Sequence, residues 1–330
     1  MQNVQRETRE RNGGAHPQQE MIIQQDTHWI RLLFRVRGSS LEQTWPQILA
    51  ATAFATVVTF VELRFGLENY TLTTTPFTLI GVPLGIFLGF RNNAAYDRFW
   101  EASKLWSSLA HTARTLAGQA NLLIHAEPDN KELQQFRQTF VKRIIAYVHS
   151  LCHKLRDSDA TEDIARFLPD DDEAQILDAP HKLRAIRQTL GRDIAYARDQ
   201  KWIHELVVPV VAGKVSELAG IAKSCERIKM TPVPFPYTAL INRLVTFYCF
   251  SLPFGLVDTV GILTPAVVLL TSHAFFGFDA IGDEIQQPFR ATCHCIPLAA
   301  ISRDIEIELL GLIDDPQPPQ PLLPDNGLLL

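Results

Sequence analysis

Apolar residues gather in two blocks, 48–90 and 244–281, with a long charged stretch between them. Within the first block, 45–60 is almost free of charge. With the interfacial residues on either side it offers about 20 positions, enough for one helix across a hydrocarbon core near 30 Å. The segment 67–75 (LENYTLTTT) predicts a short polar turn. Residues 76–90 (PFTLIGVPLGIFLGF) are apolar without interruption but number only 15. That is short for a lipid-exposed span, and it predicts a helix that enters a membrane and continues beyond Arg91 as a water-exposed helix. The second block divides into 244–257 and 262–281, joined by Asp258-Thr-Val-Gly. The pattern therefore predicts four spans in two hairpins, 45–90 and 239–282. Two hairpins buried in the core of a soluble protein are the alternative.

The region between the blocks, 91–235, reads as helix throughout. Apolar residues recur every three to four positions over 94–123, 131–155, 181–197 and 202–228, with turn signals between them. The segments beginning Glu127-Pro and Leu168-Pro predict loops, and the acidic run 170–173 a solvated loop or a helix start. A further helical segment is expected over 283–315. Residues 1–27 begin polar and aperiodic, and predict a disordered tail without the apolar core of a secretory signal. Over 28–44, Trp29, Ile30, Leu32, Leu33, Phe34 and Val36 alternate with Arg31, Arg35 and Arg37. That mixture predicts an amphipathic helix in the headgroup layer, with an ordinary soluble amphipathic helix as the alternative. The Pro-rich tail 316–330 predicts extended or disordered chain.

The formal net charge of −5 removes any global basic field that would recruit nucleic acid. Five scattered cysteines do not make a disulfide framework. Charge is distributed by side instead. Arg31, Arg35 and Arg37 precede the first span, Arg91, Arg98 and Lys104 follow the second, Arg243 opens the third, and Arg290 and Arg303 lie beyond the fourth. Positive residues mark the cytoplasmic side, so both termini and the middle region are expected there. Zinc-peptidase, nucleophile-elbow and phosphate-loop motifs are all lacking, so no enzyme chemistry is expected. Cys293-His294-Cys295 offers soft ligands, but adjacent positions cannot close a tetrahedron, and neither metal nor cofactor is expected.

The second span carries the sharpest pattern. Gly81, Gly85 and Gly89 recur every four residues and form one stripe on a helix, while Val82, Ile86 and Phe90 form the adjacent stripe. Small residues at that spacing let helices approach closely in lipid. Several copies around an axis would turn the bulky stripe into three apolar rings, a constriction that gates by dewetting. The plainer reading has Val82, Ile86 and Phe90 facing lipid. Pro83, inside this helix, removes one backbone hydrogen bond and predicts a kink.

Directly after that stripe comes GFRNNAAYDRFWEASKLW (89–106), preceded upstream by Arg-Gly-Ser at 37–39 and followed by PVPFPYT (232–238), LPFGLVD (252–258) and FFGFDAIGDEIQQPF (275–289). In this order and spacing the motifs resemble the bestrophin family, its bacterial members in particular. The resemblance implies an all-α integral membrane protein, with four transmembrane helices per subunit and a large helical cytosolic region. It also implies a homopentamer around one axial pore in a bacterial inner membrane, conducting small monovalent ions. Carried over by residue, the neck falls on Val82, Ile86 and Phe90. A second, cytosolic constriction falls within 207–211 (VVPVV), at Val208 or Val210. The calcium-binding acids of animal members are replaced by Arg-Ala-Thr-Cys-His-Cys at 290–295, so calcium gating there is not expected. Arg91, just below the neck, favours anions such as chloride; a channel for monovalent cations and a non-conducting scaffold or lipid-binding protein are the alternatives. Glu62 and Arg64 near the outer end of the first span, and Asp97, Arg98, Asp279, Asp283 and Glu284 at the other border, are expected to form helix–helix ion pairs, with pore electrostatics as the alternative.

Overall fold

A computed structural model of the chain describes residues 21–22, 39–65, 73–125, 130–290, 295–322 and 328–329. In chain order these form β1 (Met21–Ile22), α1 (Leu41–Phe65), α2 (Thr74–Leu123), α3 (Lys131–Arg156), α4 (Thr161–Ala165), α5 (Asp170–Leu177), α6 (Lys182–Asp199), α7 (Val208–Met230), α8 (Phe235–Val260), a 3-10 turn (Gly261–Leu263), α9 (Thr264–Ile285), α10 (Leu298–Gly311) and β2 (Leu328–Leu329). Among the described residues, three helical runs are long and apolar enough to cross a membrane: Leu41–Phe65, Thr74–Leu123 and Phe235–Ile285. The chain divides into two compact units, one of Asp26–Ser107 with Lys223–Pro288, the other of Met1–Gln25, Ser108–Ala222 and Phe289–Leu330.

In the first, apolar unit, α1, α2, α8 and α9 share one core. Ile48, Leu84, Leu88, Val245, Cys249 and Phe276 form one cluster. Ala51, Ala55, Phe77, Leu252 and Val268 form the next. The run Phe235–Ile285 folds back at its 3-10 turn, because Asn242 near its start bonds Asp279 near its end. Gly261 makes that turn with a φ of +58°, which an L side chain rarely adopts. Threonines of α1 satisfy themselves locally: Thr44, Thr52, Thr56 and Thr59 each donate to the carbonyl four residues back at 2.8–2.9 Å. Such bonds free those four hydroxyls from any need of water. Large apolar side chains remain on the outside, among them Leu79 at 75% exposure, Phe247 at 73% and Phe60 at 65%. Patches of this kind want a covering of lipid or protein.

Interlocking fixes α2 against α8. A Cβ built on Gly81 would meet the Tyr248 hydroxyl at 2.5 Å, and one built on Gly255 would fall on the Phe77 ring. Each helix therefore presents one aromatic ring and one glycine to the other. At the far end of this unit Arg98 of α2 donates to Ile228 O (2.7 Å), Thr231 O (2.6 Å) and Gln286 O (3.2 Å). One guanidinium thus serves the carbonyl ends of both α7 and α9, where helices leave acceptors unsatisfied and favour positive charge.

The second, polar unit is built on α3, which packs against α6 and α10. Asn130 caps α3 by accepting from Leu133 N at 3.0 Å, and Asp157 ends it at φ +54°. The apolar face of α3, including Phe140, Ile144, Val148 and Leu151, is buried. Arg143 on the same helix bonds Asp193 at 2.5 Å and also holds Asp172. His149 meets Glu306 of α10 at 2.9 Å and stacks on Phe167.

Helix continues without a break from Thr74 to Leu123, through Pro83 and, as the apolar pattern predicts, across position 91. Other expectations change. The helix expected over 202–228 begins only at Val208. Lys201 has a φ of +59° and Pro209 follows, and a residue before proline is pushed out of helical conformation unless it begins the helix. Of the two readings for the acidic run 170–173, the helix start is the one found, opening α5. Met21–Ile22 and Leu328–Leu329, both read as tail, pair antiparallel with each other. They are short apolar islands in polar sequence, and a ladder satisfies their backbone. Of the interfacial helix expected over 28–44, residues up to 38 lie outside the described residues, and Leu41 onward belongs to α1.

Candidate functional site: the apolar face of α2

Four-residue spacing on α2 puts Val82, Ile86 and Phe90 on one face. All three are mostly outside the subunit, at 60%, 51% and 63% exposure, while Leu84 and Leu88 of the same helix are buried in the core. The glycine stripe splits. Gly81 is occupied by Tyr248, whereas a Cβ on Gly85 or Gly89 would meet nothing within 4 Å. Gly85 and Gly89 instead line an open cavity of about 370 Å³ with Asn92, Ala274, Phe275 and Phe278.

One residue further along the chain the character inverts. Arg91 is 2% exposed and forms ion pairs with both Asp279 and Asp283 of α9. Asp279 uses its other oxygen to accept from Asn242 Nδ2 at 3.0 Å, and Asp283 also accepts from Gln286 Nε2 at 3.1 Å. Asn92 donates to Phe278 O at 3.1 Å. Arg91, expected to present a positive charge to passing ions, lies buried within the subunit. Its charge is neutralised by two carboxylates inside the subunit, because a buried guanidinium without partners carries a large desolvation cost. Arg98, expected to take an acidic partner, is held by the three carbonyls described above.

In the polar unit, Val208 opens α7 half-buried, Val210 is 49% exposed, Val211 is fully buried, and Leu206 just before the helix is 81% exposed. Leu206 was not anticipated. It is the most exposed large apolar residue of that turn, and its position beside the VVPVV segment is the only sequence signal for it. Sequence reasoning also missed Asn242, although an asparagine within an apolar helix is itself a sign of a buried partner. Buried Cys225 is no nucleophile, since burial pushes its thiol up to about 12. Cys293 and His294 lie outside the described residues, and among the described residues no group of three or more His, Cys, Asp or Glu side chains could hold a metal.

Comparison with known proteins places this geometry in a family. The chain is 33% identical over 296 residues to the voltage-dependent anion channel-forming protein RSc3414 of Ralstonia nicotianae, covering 90% of this chain and 95% of that one. It is 32% identical over 306 residues to the voltage-dependent anion channel-forming protein YneE of Escherichia coli K12, covering 93% and 98%. A crystal structure of a bacterial bestrophin homolog from Klebsiella pneumoniae superposes with a TM-score of 0.77 at 31% identity, over 82% of this chain and 98% of that one. The family model described as bacterial/fungal bestrophin protein matches residues 21–311. With the helical architecture and the α2 motif already in place, the chain belongs to the bacterial and fungal bestrophin family.

Proposed function

We propose that the chain is the subunit of a homopentameric anion channel, with chloride as its simplest permeant ion and Val82, Ile86 and Phe90 as its neck. The observation that carries this reading is the face of α2. Three apolar side chains in register, Val82, Ile86 and Phe90, stay more than half exposed on the face opposite buried Leu84 and Leu88, within a wider apolar surface that includes Phe87. Copies of α2 around an axis would stack them as three rings, and ions would pass when the rings are wetted. Anions are favoured because the relatives at 32–33% identity are named anion channel-forming proteins. The neutralised Arg91 contributes nothing to that choice. Open surface at Gly85 and Gly89 suits contact with a second copy, whereas Gly81 serves packing within the subunit. The side-of-membrane charge bias supports four spans, with both termini and the middle region on the cytoplasmic side. Val208 or Val210 remains the proposed second constriction.

Purified protein in a planar bilayer under asymmetric KCl tests the proposal. Current should reverse near the chloride equilibrium potential, and Ile86→Ala should raise conductance or hold the channel open. Reversal near the potassium potential would establish the cation alternative. Unchanged current in Ile86→Ala would remove the neck from this position.

A further inference from the structure

Beyond the apolar stripe, α2 keeps its register. Pro83 is its one internal proline, so the stretch from Ile86 to Lys104 is unbroken helix. At 3.6 residues per turn, Asp97 stands about three turns and Lys104 about five turns beyond Ile86, and both fall within roughly 20° of its direction. Burial agrees with this count. Leu88, Ala95, Ala102 and Trp106 are at most 2% exposed and lie on the opposite side of the helix, whereas Asp97 and Lys104 are exposed. We infer that Asp97 and Lys104 set the charge preference of the conducting pathway, as two successive rings of opposite sign beneath the apolar neck. This rests on the channel reading proposed above.

The other charges of this stretch are already engaged within the subunit. Arg91 is neutralised by Asp279 and Asp283, Arg98 is held by three carbonyls, and Glu101 pairs with Arg227 at 2.7 Å. Asp97, expected to pair with a neighbouring helix, makes no ion pair or hydrogen bond among the described residues. Lys104 meets no carboxylate there either; its ammonium lies over the Trp100 ring, 5.6 Å from the centroid. An aromatic face attracts a cation without cancelling its charge. Trp100 is four residues nearer the neck, so this contact draws the Lys104 ammonium toward it. Neither charge is used in holding α2 to its neighbours.

Around an axis, each of these positions becomes a ring of like charges. Asp97 and Lys104 are about 10.5 Å apart along the helix, close to the Debye length of about 8–10 Å at 0.1–0.15 M salt. Each ring therefore acts mainly on ions at its own level, and the two do not simply cancel. Asp97, nearer the neck, raises the local concentration of cations and opposes anions; Lys104, about two turns further on, does the reverse. The neck's apolar side chains carry no charge and cannot read the sign of an ion, so the balance of the two rings sets the permeability ratio. An anion-preferring channel is then one in which the Lys104 ring prevails and the Asp97 ring limits the preference.

Full-length protein in a planar bilayer under asymmetric KCl, in the wild-type and Ile86→Ala backgrounds, tests this through the reversal potential. Asp97→Asn should raise the chloride-to-potassium permeability ratio about threefold, and Lys104→Gln should lower it by a similar factor. The double variant should return close to the starting ratio. Repeating the gradient near 1 M salt should shrink both shifts, since the Debye length there is only about 3 Å. Both side chains are exposed and unpaired, so the melting temperature in detergent should stay unchanged. Shifts in the same direction, shifts that persist at high salt, or no shift in either variant would overturn the inference. If Ile86→Ala still raises conductance in that case, the neck stands and only the charge rings fall. If neither Ile86→Ala nor the charge variants alter the current, or no current flows in either background, the channel reading falls with them.

Discussion

Two arginines of this chain each hold two aspartates, one in each unit. In the apolar unit Arg91 joins Asp279 and Asp283, and Asn242 supplies the second oxygen of Asp279. In the polar unit Arg143 joins Asp172 and Asp193, but the second oxygen of Asp193 is buried without a partner. The first arrangement gives its most buried carboxylate a donor for each oxygen. The second leaves one oxygen short, and burial pushes the Asp193 carboxyl up to about 6 against the pull of Arg143. Similar ion-pair chemistry thus leaves a fully bonded central carboxylate in one place and a raised, half-bonded one in the other, and a single asparagine is the largest visible difference in bonding.

The largest expected effect tests the Arg91 joint. Arg91→Met leaves Asp279 and Asp283 without their cation and should cost about 3–5 kcal/mol, read as a lower melting temperature in detergent. Replacing Asp279 with Leu and Asp283 with Asn in the same background should recover much of that loss, since an apolar substitute for a buried pair is often neutral. Recovery would place the value of Arg91 in neutralising its partners rather than in any role toward ions.

Next comes the Arg143 joint. The folded carboxyl of Asp193 titrates above its ordinary value of 3.8. The folded state therefore binds more protons than the unfolded chain between about 4 and about 6. The stability it contributes is complete below about 4 and lost as the pH rises through about 6, an effect of order 2–3 kcal/mol. Thermal melts across that window should show the decline, and Asp193→Asn should flatten it. An equal decline in the variant would assign it to other groups.

A smaller change makes one joint resemble the other in bonding. Asn242→Leu removes the second donor to Asp279 and should cost about 1–2 kcal/mol, read as a lower melting temperature in detergent. The smallest effect is a control on exposed charge. Arg114 pairs with Glu308 on the surface, at 3.0 Å for its Nη2 bond, and both side chains are near half exposed. Arg114→Ala should move stability by no more than about 0.5 kcal/mol and lose even that in high salt.

Much of the helix inventory was legible in the sequence, because apolar runs and three-to-four spacing are local signals. The start of α6 at Lys182 and the end of α3 at Arg156 fall within a residue of the expected positions. The face of α2 was legible for the same reason. Partners were not. Arg91 meets carboxylates 188 and 192 residues away, and no local pattern distinguishes such an arginine from one facing a pore. The glycine stripe looked uniform because spacing alone cannot tell that Tyr248 fills the space beside Gly81 and nothing fills that beside Gly85. The start of α7 was misplaced although Pro209 marks it, since buried Trp202 and Ile203 continue the apolar rhythm into a turn.

The crossed pairing of Phe77 with Gly255 and Tyr248 with Gly81 has a mechanical consequence. A slide of α2 along α8 by one turn, about 5.4 Å, would carry both rings off their glycines at once. Phe77 would then meet Leu252 or Asp258, where a side chain already occupies the space. Motion along that contact is therefore detented, like a ratchet with one seat, and small continuous shear is opposed from both sides. In the proposed channel, α2 and α8 would therefore have to tilt as one piece during opening, or the neck would have to widen by rotation of Val82, Ile86 and Phe90 about their own bonds while the helix stays seated.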